Sequence, residues 1–292
     1  MADKEFKSIE DQISILESRG LQIPDRSVAA DFLLRNNYYR VSGYSLTLRN
    51  HDVFTQNANF QNIIDIYEFD HNLRHILLKY IELIEVTVKS VYSYEFTKVY
   101  GATGQYAAVN FTDAVIHADI MQKAEIQKNT RLQHEAYLKH FVNELQQDIP
   151  LWAFVDLLTI SNVSFLYKIS QPAIKLAVAY SLGLTTRGDE LLEQFMHHIT
   201  IIRNLCAHGS RLYNRLFEQR PWLSRKEKAL LIQLPDGTAD NAHLYGFILV
   251  MRRLLKPEEF SSMKAELIAL SRKYPFVSLR YYGFRDDWET AL

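Results

Sequence analysis

The sequence predicts an all-α protein, and three observations carry that expectation. Glycine and proline are scarce, 10 and 7 in 292 residues, which leaves few sites for tight turns. Residues 60 to about 100 place apolar side chains at steps of three and four without a break. The other apolar stretches follow the same helical period, with one short β-leaning exception near the N-terminus.

The elements follow in order. Ile9, Ile13 and Leu16 share one helical face, and Gly20 closes that helix. Pro24-Asp25 opens a second short helix carrying Val28, Phe32 and Leu33, with Asp25 as N-cap. Asn36 to Tyr44 is tyrosine-rich and reads as an extended, turn-rich segment. In residues 60–100, Ile66, Phe69, Leu73, Ile76, Tyr80, Leu83, Thr87 and Val91 form one core-facing stripe. Asn59 caps the start and Gly101 ends the helix, which would run about 60 Å at about 1.5 Å per residue. His71, Arg74, Glu82, Glu85 and Lys89 lie off that stripe as a charged face, with Glu85 and Lys89 at i,i+4 spacing.

Residues 101–111 read as a loop. Thr112 to Gln147 is helical in two pieces and stops at Asp148-Ile149-Pro150. Leu151 to Ile169 reads as one strongly apolar helix, and Pro172 starts another that ends near Gly183. A further helix begins at Asp189 as N-cap, buries Leu192, Phe195, Ile199, Ile202 and Cys206, and stops at Gly209. Two helices at about 241–255 and 257–274 lead to an aromatic and basic tail. The expected organisation is an N-terminal helical cap with a short extended segment over 1–55, a helical core over 56–220, and a C-terminal helical extension over 221–292.

Composition narrows the function. A hydrophobic fraction of 48% suffices for a sizeable core. A net charge of −1 excludes a global basic field, so any nucleic-acid surface must be local. The single cysteine, Cys206, excludes an intramolecular disulfide and suits a reducing compartment. Met1-Ala2-Asp3-Lys4-Glu5 lacks an apolar leader, and no uncharged apolar run reaches about 18 residues. The expectation is a cytoplasmic protein with no membrane association.

The residues that carry chemistry lie at the end of the 189–209 helix: Arg203-Asn204-Leu205-Cys206-Ala207-His208. Cleavage of a phosphodiester through a ribose 2′-OH needs a base for that hydroxyl, an acid for the leaving oxygen, and positive charge on the phosphorane. A histidine and an arginine supply these. On an ideal helix Asn204 and His208 are neighbours, but Arg203 points about 140° away from His208. Either the last turn unwinds or a second copy of the helix supplies part of the site, as a two-fold dimer would. The structural alternative is an arginine and a histidine that merely favour the negative end of a helix.

The flanking residues resemble a known family. Arg203-Asn204-x-x-Ala207-His208-x-x-Arg211-x-x-Asn214-Arg215 is similar to the R-N-x-x-A-H-x-x-R-x-x-N-R signature of AbiD/AbiF-like abortive-infection proteins, in the HEPN superfamily of helical ribonucleases. Asn37-Tyr38-Tyr39-Arg40-Val41-Ser42-Gly43-Tyr44 resembles the family's N-Y-Y-R-L-S-G-Y element. Tyr67 to Arg74 resembles its Y-x-F-D-x-x-L-R helix start, Ile81 to Glu85 its I-E-x-I-E, and Pro150 to Ala153 its P-x-W-A. The blocks occur in family order over about residues 20 to 220. One departure is Gly209, where a bulkier, often basic residue is expected.

The resemblance implies a HEPN-type helical bundle and a homodimer with the motifs paired at its interface. It also implies metal-independent RNA cleavage in antiphage defence, with no cofactor, and allows a bound small structured RNA. Arg203, Asn204 and His208 are then the catalytic candidates: His208 for proton transfer, Arg203 as phosphate clamp, Asn204 to position the phosphate or His208. Arg211, Asn214, Arg215 and Arg220 are RNA-binding candidates. From 203 to 228, seven cations face only Glu218 and Glu227, a net charge of +5. Glu85 and Arg74 are supporting candidates that could orient the motif, or could form a salt-bridged surface. His71 and His75 have metal-ligand spacing without a third ligand and read as structural, so no metal site is expected. His197 and His198 could line an RNA path, though a helix-surface role is favoured, and Cys206 reads as a packed hydrophobe. The tail aromatics, and Tyr38, Tyr39 and Tyr44, are read as packing on the bundle. The competing function is a non-catalytic protein that holds a small structured RNA, and a weaker third is a purely protein-binding regulator.

Overall fold

A computed structural model describes residues 5–292, so the leader reading of Met1 to Lys4 lies outside the described residues. The protein is all-α: 66% of it is helical, and the described residues form 14 α-helices and a single two-stranded sheet. Three short helices come first, α1 (Ile9–Ser18), α2 (Arg26–Asn36) and α3 (Tyr38–Tyr44), then a hairpin of β1 (Arg49–Asn50) and β2 (Val53–Phe54). The long helix α4 spans Phe60–Tyr100. It is followed by α5 (Ala114–Arg131), α6 (Ala136–Lys139), α7 (Leu151–Phe154), α8 (Ile160–Lys168), α9 (Pro172–Ser181) and α10 (Gly188–Ala207). The chain ends with α11 (Arg225–Lys228), α12 (Tyr245–Leu254), α13 (Pro257–Lys273) and α14 (Trp288–Ala291).

Helix α4 is the axis of the molecule. Its 41 residues pack against α3, α7, α8, α9, α10, α12 and α13. The Asn59 side chain accepts from the Asn62 N–H while Asn62 reaches back to Asn59, a reciprocal cap. At the other end Gly101 takes φ +79°, a conformation glycine adopts without a Cβ clash. One continuous hydrophobic core runs from Ile13 to Leu292. Each fully buried Leu, Ile or Phe in it contributes about 1.5–3 kcal/mol.

Four expectations are corrected. Asn36 to Tyr44 is not extended. Asn37, at φ +65°, caps α3 by accepting from the Tyr39 N–H, and the helix then buries Val41 and Tyr44 on one face, overriding the β preference of its tyrosines. Extended structure occurs later, at 49–54. The apolar run 151–169 is broken, because Leu158 is extended and the Thr159 side chain caps a new helix at the Asn162 N–H. Helix α10 starts one residue before Asp189, from Arg187 in the left-handed region, and Asp189 lies in its first turn. Arg74 belongs to no surface stripe: it is buried against Asp70.

The C-terminal tail docks as expected. Tyr282, Phe284 and Trp288 are buried, with Phe284 between Tyr245 and Trp288. Among the described residues, no helix is long and apolar enough to cross a membrane.

Candidate active site at the end of helix α10

Helix α10 buries Leu192, Phe195, Met196, Ile199, Ile202 and Cys206 and presents its other side to solvent. Burial pushes the Cys206 thiol up to about 12, so it is a packed thiol and not a nucleophile. The last turn is intact. The His208 N–H donates to the Asn204 carbonyl at 3.0 Å, and His208 is the C-cap. Beyond it, the Gly209 N–H donates to the Cys206 carbonyl at 3.1 Å and the Ser210 N–H to the Leu205 carbonyl at 2.8 Å. This is a Schellman closure, which requires the left-handed φ of +62° that Gly209 supplies.

The motif residues are therefore held in helical register. Asn204 and His208 are exposed and Arg203 is half-buried. The Arg203 guanidinium reaches the Asn204 amide oxygen at 3.5 Å, the outer limit of a hydrogen bond. Among the described residues, no side-chain hydrogen bond engages the His208 imidazole. Because the turn does not unwind, Arg203 and His208 leave the helix about 140° apart.

What fixes this helix end was missed by sequence reasoning. Asp70 of α4 is fully buried, and its carboxylate accepts from five residues. These are the Tyr44 hydroxyl at 2.8 Å, the Tyr282 hydroxyl at 3.0 Å, the Tyr213 N–H at 2.9 Å, the Leu212 N–H at 3.2 Å, and the Arg74 guanidinium. Arg74 also donates to the Tyr44 hydroxyl at 3.3 Å and the Ser210 carbonyl at 3.4 Å. Arg40 of α3 donates to the Gly209 carbonyl. Residues 209–213 are thus gripped from α3, α4 and the C-terminal tail. Burial raises the Asp70 carboxyl above its ordinary range, against the pull of Arg74 and the other donors. All five neighbours are donors, so the ionised carboxylate is the form that satisfies them. The signal available in the sequence was Asp70 and Arg74 at i,i+4 beside the buried stripe of Phe69 and Leu73, an ion pair placed in a core face.

The other candidates divide. Arg211 is half-buried and donates to the Tyr213 carbonyl. Arg215 reaches the Arg211 carbonyl at 3.4 Å and lies 5.8 Å from the Phe217 ring centroid. Asn214 sits in a left-handed turn at φ +48°, with its N–H on the Tyr281 carbonyl at 3.0 Å. Arg220 is exposed. Glu85 pairs with Lys89 at 2.8 Å, the i,i+4 contact its spacing predicts. Arg74 reaches the Ser210 carbonyl at 3.4 Å and pairs with Asp70.

His197 is exposed and lines a groove of about 530 Å³ between α8 and α10, with Phe165, Lys168, Gln194 and Thr200. His198 is buried against Phe247, and Nδ1 lies 2.6 Å from the Gln194 carbonyl oxygen. His71 and His75 stack edge to face at 4.4 Å, and among the described residues no group of three or more His, Cys, Asp or Glu is placed to hold a metal ion. Tyr44 is core, whereas Tyr39 is 85% exposed, contrary to its expected packing.

Fold and site together define an all-α protein whose arginine–histidine helix end is locked against a central helix by a buried ion pair. The chain belongs to the Abi-like protein family, whose model matches residues 31–214. The match runs from α2 to the loop held by Asp70 and stops at Asn214. Tyr282, which completes the grip on Asp70, lies beyond it. Neither the curated proteins nor the solved structures contain a significant match to the chain.

Proposed function

We propose that this protein is a metal-independent endoribonuclease effector of abortive-infection defence, acting as a homodimer of the HEPN type. The Abi-like family supports the defence role. The observation that carries the chemistry is an exposed His208, with no side-chain partner among the described residues, on a rigidly closed helix end one turn from Asn204, whose amide oxygen Arg203 reaches.

An imidazole can take a proton from the ribose 2′-OH. The 2′-oxygen then attacks phosphorus, the bond from phosphorus to the 5′-oxygen breaks, and the imidazolium so formed returns its proton to that leaving oxygen. The products are a 2′,3′-cyclic phosphate and a 5′-hydroxyl. Arg203 offsets the charge that builds on the phosphorane. Asn204 positions the phosphate or His208. The intact last turn favours a site shared between two copies, in which one copy supplies Arg203 and the other His208.

The test is incubation of the purified protein with single-stranded RNA in EDTA. Cleavage to 2′,3′-cyclic ends, abolished by a 2′-deoxy residue at the cut and by His208→Ala, is expected. RNA that copurifies and stays intact, with binding unchanged in His208→Ala, would favour the ribonucleoprotein reading.

A further inference from the structure

Beside the motif end lies a concavity of about 540 Å³ that the chemistry above does not use. It is lined by Tyr39, Arg40, Gly43, Leu46, Arg49 and Arg211, and no carboxylate is among the described residues that line it. Three arginines thus line one small space, with the Arg40 guanidinium 5.6 Å from the Tyr67 ring centroid. Each uses little of its donor capacity on the protein. Arg40 gives one N–H to the Gly209 carbonyl, and Arg211 gives one to the Tyr213 carbonyl. Arg49 faces Asp52 at 3.6 Å, but Asp52 is largely exposed and shared with Arg19 at 3.3 Å. The Nε groups of Arg40 and Arg49 are buried, with no acceptor among the described residues. Those two Nε groups are closed off from the concavity, so an acceptor from outside would meet the outer Nη groups, which the protein leaves mostly unpaired.

Two further features fit. Gly43 keeps the space open for Arg211: a Cβ there would stand 3.2 Å from the Arg211 Nε. The Tyr39 ring, on the rim, is free to stack on a base. Arg40 ties the concavity to Gly209, the residue after His208.

We infer that this concavity is a phosphate-binding site and that Arg40, Arg49 and Arg211 hold a backbone phosphate of the RNA strand near the cleavage point. The strand assignment rests on the ribonuclease reading; the phosphate site does not. The same chemistry would accept the terminal phosphate of a mononucleotide.

Leu46→Glu tests it, because Leu46 lines the site, is 45% exposed, and braces neither Gly209 nor Tyr213. The new carboxylate should occupy the arginines in place of phosphate, leaving the melting temperature unchanged or raised. Leu46→Gln is the neutral control. Two probes are compared on the full chain: inorganic phosphate, read as a thermal upshift against chloride at equal ionic strength, and a short single-stranded RNA, read by anisotropy across a salt series. The expected result is loss of the phosphate upshift in Leu46→Glu. RNA affinity should fall about tenfold, with a log–log salt slope shallower by about 0.7 for each phosphate the protein no longer neutralises. Leu46→Gln should behave as wild type. If the phosphate upshift disappears in Leu46→Glu but the wild-type protein binds no RNA, the phosphate site stands and the RNA reading falls. Equal phosphate upshift and equal RNA binding in wild type and Leu46→Glu would overturn the inference, leaving the arginines as braces of the loop.

Discussion

Replacing Asp70 by Asn keeps the shape of the side chain and removes its charge. Arg74, only 3% exposed, would then be a buried cation without a counter-ion. Breaking a buried pair from one side costs about 3–5 kcal/mol. The Asn oxygen can still accept from part of the five donors, so the lower end applies, about 3 kcal/mol. At about 2–4 °C per kcal/mol for a chain of this size, the melting temperature should fall by about 6–12 °C. Calorimetry reads the shift, and hydrogen exchange reads its location. The Leu212 and Tyr213 amides, both donated to Asp70, should exchange faster. The double variant Asp70→Asn/Arg74→Met removes both charges and should melt no lower than Asp70→Asn, a coupling of about 2 kcal/mol or more. A single variant that melts within about 2 °C of wild type, or two single effects that simply add, would refute the assignment of this pair as the clamp on the motif end.

Three other outcomes follow from the same geometry. Gly209→Ala should cost about 1–2 kcal/mol in urea unfolding, since a non-glycine residue at φ +62° is strained and its Cβ would stand 3.4 Å from the Arg40 Nη2; an unchanged midpoint would contradict the closure described. Burial holds the His198 imidazole below its ordinary value of 6.5, so the unfolded chain takes a proton the native one refuses. That contribution is fully present above about 6.5 and is lost as the pH falls from there towards the depressed native value; His198→Phe should flatten this part of the stability profile between pH 7.5 and 5.5. The Cys206 thiol, pushed up to about 12, should be inert to a thiol reagent at pH 8 until the protein is denatured, and rapid labelling of the native protein would place it outside the core.

Helices that close their own ends were legible in the sequence. Asn59, Gly101 and Gly209 are local signals, and α4 and α10 stop where those residues require. Helix α3 was not legible, because its start depends on Asn37 at φ +65° and its helicity on burial of Val41 and Tyr44. The break at Leu158 was hidden inside a largely apolar run, where the Thr159 side chain marks it. Arg203, Asn204 and His208 could be picked out because they lie within one six-residue stretch. Of the network behind them only Arg74 was named as support from the sequence, because it joins Tyr44, Asp70, Arg74, Leu212, Tyr213 and Tyr282 from four distant stretches of chain. A charge is rarely buried, so pattern reading sends Arg74 to the surface; only the position of Asp70 one turn away reverses that.

The central claim is that Arg203 of one copy and His208 of another complete a single RNA-cleaving site. Its most direct measurement is the EDTA-resistant cleavage rate of Arg203→Ala and His208→Ala proteins, each alone and after subunit exchange in an equimolar mixture. Each alone should be inactive. Random exchange makes half the dimers mixed, each with one intact site of two, so the mixture should regain about a quarter of the wild-type rate. A mixture as inactive as its parents, alongside an active wild type, would show that one chain carries the whole site.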